Sequence, residues 1–246
     1  DSMIAIASYR ESLSYYSVPE LVKQEKAFLE SEDMYHPMLE NPVANTIKEE
    51  RGVLVTGSNA SGKSTFLKTV AISAVFAQTI HTCPARQYRT CYFQIYSSMA
   101  LKDNLQGNES YYIVEIKSLK RILNRVEEKT PLLCFVDEVL RGTNTIERIS
   151  ASAQILKSLA KVHVMCFAAT HDIELTHLLE EFYSNYHFQE EVTDDDVKFN
   201  YRLFTGPAVT RNAIKLLGVI GYNKNIIDAA ESQAGYFIRS GSWKVD

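Results

Sequence analysis

The run Gly57-Ser58-Asn59-Ala60-Ser61-Gly62-Lys63-Ser64 carries the most explicit chemistry in the chain. Two glycines with four residues between them, then a lysine and a hydroxyl, form a loop whose backbone N–H groups can converge on phosphate oxygens. Lys63 is expected to reach the β and γ phosphates, and Ser64 to give its hydroxyl to Mg2+. The candidate nucleotide-binding residues are therefore Gly57, Ser58, Asn59, Ala60, Ser61, Gly62, Lys63, Ser64 and Thr65. A plain Gly/Ser turn is the bland alternative, but it gives no reason for a lysine at a helix start. Asp137-Glu138 follows the apolar run Leu132–Val136. Asp137 is expected in the Mg2+ shell, and Glu138 is placed to polarise an attacking water. An acid pair that merely caps a helix is the competing reading. His171 ends another apolar run and is the candidate sensor of the γ phosphate.

These residues need elements to hold them. Gly52–Thr56 reads as a buried strand leading into the loop. Phe66, Leu67, Val70, Ala71, Ala74, Val75 and Ala77 then recur at helical spacing, so the loop has the strand–turn–helix context that its chemistry requires. A second long helix carries Tyr112 to Val126, a third Ile149 to Leu159, and a fourth Leu175 to Phe182. Leu132–Val136 and Val162–Ala169 are continuous apolar strands, and Tyr92–Tyr96 is a further candidate. Continuous apolar strands alternating with helices predict a mainly parallel sheet with helices on both faces. In such sheets ligands bind at the carboxyl ends of the strands. Lys63, Asp137 and His171 all lie just beyond strand ends, so they should meet at one edge. Two alternating strands, Tyr186–Val192 and Val197–Phe204, should form a hairpin whose turn is the solvated run Asp194-Asp195-Asp196. Pro207–Ala230 reads as two short helices broken near Gly221. At the other end, a helix over the first residues and a second short helix over Pro19–Leu29 are expected.

Composition limits the remaining possibilities. The chain has 246 residues, of which 46% are hydrophobic and 23% charged, a globular balance that excludes wholesale disorder. Its net charge of -4 leaves no overall basic field for nucleic acid, and the cluster Lys117, Lys120, Arg121 and Arg125 reads as a solvated helix face. No apolar run is long enough to span a membrane. None of the four cysteines forms a CxxC pair, which favours a reducing compartment, and no signal-peptide pattern opens the chain. A first residue other than Met suggests a piece of a longer protein. From the residues alone the reading stops at a phosphate-loop nucleotide hydrolase acting on ATP.

Gly57–Thr65, Asp137-Glu138-Val139-Leu140-Arg141-Gly142-Thr143-Asn144-Thr145 and Ala169-Thr170-His171-Asp172 resemble the ATPase domain of the MutS family of DNA mismatch repair proteins. Asn59 matches an asparagine typical of the family's loop. Asp103-Asn104-Leu105, Gly107–Ser110 and Val114-Glu115-Ile116 resemble a segment that reaches across a dimer. Tyr201-Arg202-Leu203, Gly206 and Ala208 resemble its later strand and glycine turn, and Ile226–Ala230 its closing helices. The resemblance covers nearly the whole chain. It implies an ABC-type ATPase that is DNA-coupled, with ATP and Mg2+ held at sites shared between two subunits, most simply a homodimer. Ser110 would then contact the partner's γ phosphate, and Val43 would lie against adenine. Double-stranded DNA would be contacted mainly through regions outside this segment, in the cytosol or nucleoid of a bacterium, with no membrane role. The implied layout is a helical segment from an upstream region over residues 1–45, the ATPase domain over 46–232, and a tail over 233–246. The sequence departs from the family where an aromatic near Pro42 or Val43 is usual, and at Glu109, Arg211 and Ala213, which suggests a divergent branch. The alternative is an ABC-type ATPase used in transport or chromosome maintenance. Gly107-Asn108-Glu109-Ser110 is a poor match to the transport signature, and the stretch between Lys63 and Asp137 leaves no room for a long coiled coil.

Overall fold

A computed structural model of the chain describes residues 1–99, 111–128, 130–192, 197–208 and 213–243. In chain order, helix α1 (Ser2–Ser12) precedes strands β1 (Glu20–Val22), β2 (Leu29–Met34), β3 (Asn45–Glu49) and β4 (Gly52–Thr56). Helix α2 (Lys63–Thr79), strands β5 (Gln87–Cys91) and β6 (Gln94–Ser98), helix α3 (Tyr111–Val126) and strand β7 (Leu132–Asp137) follow. Then come α4 (Thr145–Leu159), β8 (Val164–Thr170), α5 (Glu174–Leu178), β9 (Tyr183–His187), β10 (Glu190–Val192), β11 (Val197–Phe199) and β12 (Phe204–Thr205). The chain ends with α6 (Ala213–Val219) and α7 (Lys224–Ser240).

The central sheet has the order β12-β9-β4-β8-β7-β6. All its neighbours run parallel except β12, which is antiparallel to β9. Strands β4 and β8 are buried at every position, as both faces of a covered parallel sheet require. Side-chain alternation divides this sheet between two cores. Val53, Val55, Leu133, Phe135, Met165 and Phe167 pack on α2, where Phe135 stacks on Phe167 at 5.7 Å between ring centroids. Leu54, Leu132, Cys134, Val136, Cys166 and Ala168 face the opposite side with α3, α4 and α5. The mixed α/β reading, with a central sheet flanked by helices, therefore holds.

A second, four-stranded sheet, β1-β5-β2-β3, covers the outer side of the α2 core. Here the sequence expectation needs correction. Pro19–Leu29 is not a helix: Glu20–Val22 pairs in parallel with β5, and Thr90 Oγ1 donates to the Phe28 carbonyl. Leu21, Val22, Ala27, Phe28 and Leu29 have no 3.6-residue period, and the polar stretch between them is exposed. The segment over residues 1–45 is helical only in α1. The expected strands Tyr186–Val192 and Val197–Phe204 are each divided, the first into β9 and β10 and the second into β11 and β12, and Phe188 still donates its N–H to Thr56 O at the end of β4. Strands β10 and β11 pair antiparallel as the expected hairpin; its turn, with Asp194, Asp195 and Asp196, lies outside the described residues. Helix α7 is longer than expected and runs through most of the supposed tail. Among the described residues, no helix is long and apolar enough to cross a membrane.

Candidate nucleotide-binding site

Parallel register brings the three anchors together. Thr56 pairs with Thr170, and Asp137 pairs with Ala169, so the exits of β4, β7 and β8 lie side by side. Gly57 leaves β4 at φ +143°, and Gly62 enters α2 at φ +113°. A Cβ on Gly57 would stand 2.6 Å from the Phe188 carbonyl oxygen, so glycine is required there on both counts. The turn delivers Lys63 to the first position of α2, where unpaired N–H groups and the helix dipole favour an anion. Ser61 is buried and its hydroxyl has no hydrogen-bond partner.

Lys63 is buried, and its ammonium donates to the Gly57 and Ser58 carbonyls, each at 2.8 Å. Burial holds its pKa below the ordinary lysine value, while Glu138, Asp137 and Glu190 pull it back up. Beside it opens a cavity of about 510 Å3, whose lining includes Asn59, Ala60, Ser64, Thr65, Glu138, Val43 and Tyr201. Asp137 ends β7 with its Oδ1 buried and without a hydrogen-bond partner. Among the described residues no group of three or more His, Cys, Asp and Glu could hold a metal. Mg2+ needs no such cage: it is usually held by one or two protein oxygens with phosphate and water. An orphaned carboxylate oxygen whose charge acts on the phosphate-loop lysine fits that donor set.

Glu138 takes φ +57° as the chain turns off β7, and its N–H donates to Ala169 O at 2.9 Å. Its carboxylate is divided between two cations or potential cations. Oε2 is 3.0 Å from Arg141 Nη1, and Oε1 is 3.6 Å from His171 Nδ1. The structure thus brings Lys63, Asp137, Glu138 and His171 to one edge, with Gly57–Thr65 around them and Val43 on the cavity wall. Ser110 lies outside the described residues, as do Asp103, Asn104, Leu105, Gly107 and Glu109.

Four residues make contacts at the site that the sequence does not assign to them, although Glu115 and Tyr201 stand in segments that carry the resemblance. Glu190 accepts a 2.7 Å hydrogen bond from Ser58 Oγ, which ties the hairpin to the loop. Tyr201 supplies an aromatic ring at the cavity, where residues 42 and 43 have none. Glu115, buried on α3, accepts the N–H of Leu140, and burial raises its carboxyl pKa against that bond. Arg148 grips Asp172, next to His171, with two bonds of 2.9 and 2.6 Å. Glu115 also left a signal of its own, as a carboxylate on the helical stripe of Tyr112, Leu119 and Ile122. The others are partners far apart in sequence.

Several known proteins are similar to the chain. The DNA mismatch repair protein MutS of Thermus thermophilus is 29% identical over 181 residues, 73% of this chain and 22% of that protein. MutS of a Thermotoga species is 31% identical over 205 residues, 79% of this chain and 26% of that protein. The MutS protein homolog 4 of Mus musculus is 33% identical over 196 residues, 72% of this chain and 20% of that protein. The chain therefore spans about a fifth to a quarter of the length of these relatives. The profile of MutS domain V matches residues 53–237, from the strand before the phosphate loop to the last helix, and the chain belongs to the MutS domain V family.

Proposed function

We propose that this chain is the ATP-binding and ATP-hydrolysing domain of a MutS-like DNA mismatch repair or DNA-structure-binding protein, of the ABC type, with nucleotide sites shared across a dimer and coupled to DNA. The observation that carries the reading is the buried Lys63 at the start of α2, with the charges of Asp137 and Glu138 at the end of β7 acting on it. The backbone of Gly57–Ser64 cradles the phosphates. Lys63 exchanges its two carbonyl bonds for phosphate oxygens. Ser64 and Asp137 would hold Mg2+, which would supply charge neutralisation for the transferred phosphoryl group. Glu138 takes a proton from the water that attacks phosphorus, and His171 holds Glu138 on one side while meeting the γ phosphate on the other. Val43 and Tyr201 flank the base. Ser110 completes the partner's site, and the DNA contacts lie mainly in regions outside this segment. The matching proteins named for DNA mismatch repair support that coupling, and the cytosol or nucleoid is where it would operate.

The test is Mg2+-dependent ATP binding and turnover by the purified chain. Glu138→Gln is expected to keep ATP binding and lose turnover by about 100-fold or more, the contribution of a general base. Normal turnover in that variant removes Glu138 from its role. A wild-type chain that binds no ATP overturns the whole reading.

A further inference from the structure

Arg148 occupies the first turn of α4, and Asp172 is the second residue beyond β8. The guanidinium meets the carboxylate as a fork: Nε to Oδ2 at 2.9 Å and Nη2 to Oδ1 at 2.6 Å. Both side chains are largely withdrawn from water, at 14% and 7% exposure. A bidentate pair in that setting fixes direction as well as distance. Each end is also fixed by the backbone. Arg148 N donates to Asn144 O, and Asn144 Oδ1 caps the helix through Glu147 N. Asp172 N donates to Thr170 Oγ1, and Asp172 O accepts from Leu175 N.

The pair lies directly behind the catalytic edge. Asp172 Oδ1 is 3.8 Å from His171 Nε2, while His171 Nδ1 is 3.6 Å from Glu138 Oε1. The imidazole thus stands between two carboxylates, and only one belongs to the proposed chemistry. Arg141 holds the far oxygen of Glu138, and Arg148 holds both oxygens of Asp172. With Arg148 in place, Asp172 has its charge matched and the 171–172 corner is tied to α4. Without Arg148, a buried carboxylate stands unpaired 3.8 Å from the histidine Nε2, and the ring has reason to turn away from Glu138 to bond it.

We propose that Arg148 and Asp172 are a positioning pair that sets the direction of the His171 ring and, through it, the placement of Glu138. The inference rests on the ATPase reading for its effect on turnover, but not for its effect on the ring. It also joins the start of α4, and with it the Arg141–Asn144 loop, to the end of β8.

The experiment is a double-mutant cycle on the full chain, read by steady-state ATP hydrolysis and by the ring-nitrogen resonances of His171. Arg148→Met is expected to lower kcat about 10- to 100-fold with the KM for ATP unchanged, as for a group that misplaces a reacting one. His171→Ala is expected to do the same, and the double variant to be no slower than His171→Ala alone. Independent, multiplying losses overturn the proposal, because a merely structural arginine would add its effect to any background. In the spectra, Arg148→Met is expected to move the His171 resonances and leave those of His163 and His187, which bond to the backbone carbonyls of Val126 and Gly206. A second variant, Arg148→Met with Asp172→Leu, removes both buried charges and so guards against simple unfolding. It is expected to show the displaced ring as well. A His171 ring that keeps its wild-type resonances in both variants overturns the proposal. A wild-type chain without turnover overturns the ATPase reading instead, and the ring resonances still decide for or against the pair.

Discussion

At the residue scale, the course of the phosphate loop turns on one glycine. Gly57 stands at φ +143° with the Phe188 carbonyl 2.6 Å from where a Cβ would sit, and that obstacle is backbone, not a side chain that can rotate. Phe188 is itself held by its N–H bond to Thr56 O. Gly57→Ala therefore forces a strained dihedral and displaces either the loop or the β9–β10 turn. The expected outcome is a stability loss of about 1–3 kcal/mol, the range for a backbone held in a sparsely populated region. Thermal unfolding would read it as a lower Tm, and a titration would show weakened ATP binding. An alanine variant with unchanged Tm and affinity would mean that the loop geometry is not set at this residue. Lys63 shows the complementary constraint. Its charge is expensive where it sits, since burial lowers its pKa, and three carboxylates offset only part of that. A buried ammonium bonded to two carbonyls of its own loop is a group waiting for a better anion.

At the element scale, the reading of the sequence succeeded where an element announces itself locally. Strands β4, β7 and β8 are unbroken apolar runs, and α2 and α3 show helical periods, so the order strand, loop, helix was legible around each anchor. Strands β1, β2 and β5 were not, because they are short, half polar and paired with segments some 60 residues away. Nothing local distinguishes Glu20–Val22 from a helix start; its partner Arg89–Cys91 decides. The start of α4 falls between these cases. Gly142-Thr143-Asn144-Thr145 reads as a loop, and the structure makes Asn144 the N-cap, its Oδ1 accepting from Glu147 N at 3.0 Å. Thr143 Oγ1 adds a bond to the Glu147 carboxylate. Asn144→Ala is expected to lower stability by about 1 kcal/mol, seen as a fall in Tm of about 2–4 °C for a chain of this size. A variant as stable as wild type would show that the Arg148–Asp172 pair holds the helix start without its cap.

At the scale of the whole molecule, the candidate site was legible because parallel strands place their exits on one edge, whatever the sequence distance between them. Asp137 and His171 needed only that rule to fall beside Lys63. The contacts between those exits were not legible, since Arg148 with Asp172 and Ser58 with Glu190 join residues that no local pattern relates. The same scale decides whether a single chain holds a complete hydrolytic site. Among the described residues, the cavity is lined from the phosphate loop, the β7 exit, Tyr201 and the segment before β3. No described residue of α3 lines it, although α3 follows directly on the segment assigned to the partner's nucleotide. If Ser110 serves the other subunit, the specific ATPase rate should rise with protein concentration and level off as the dimer saturates. Ser110→Ala should lower that plateau while ATP binding to the isolated chain persists. Duplex DNA should leave the rate unchanged, because the net charge of -4 gives this segment no phosphate-binding field of its own. A rate independent of concentration would put a complete site in one chain and remove Ser110 from the chemistry. Acceleration by DNA would instead locate a nucleic-acid contact within these residues, with the cationic face of Lys117, Lys120, Arg121 and Arg125 as the first place to substitute.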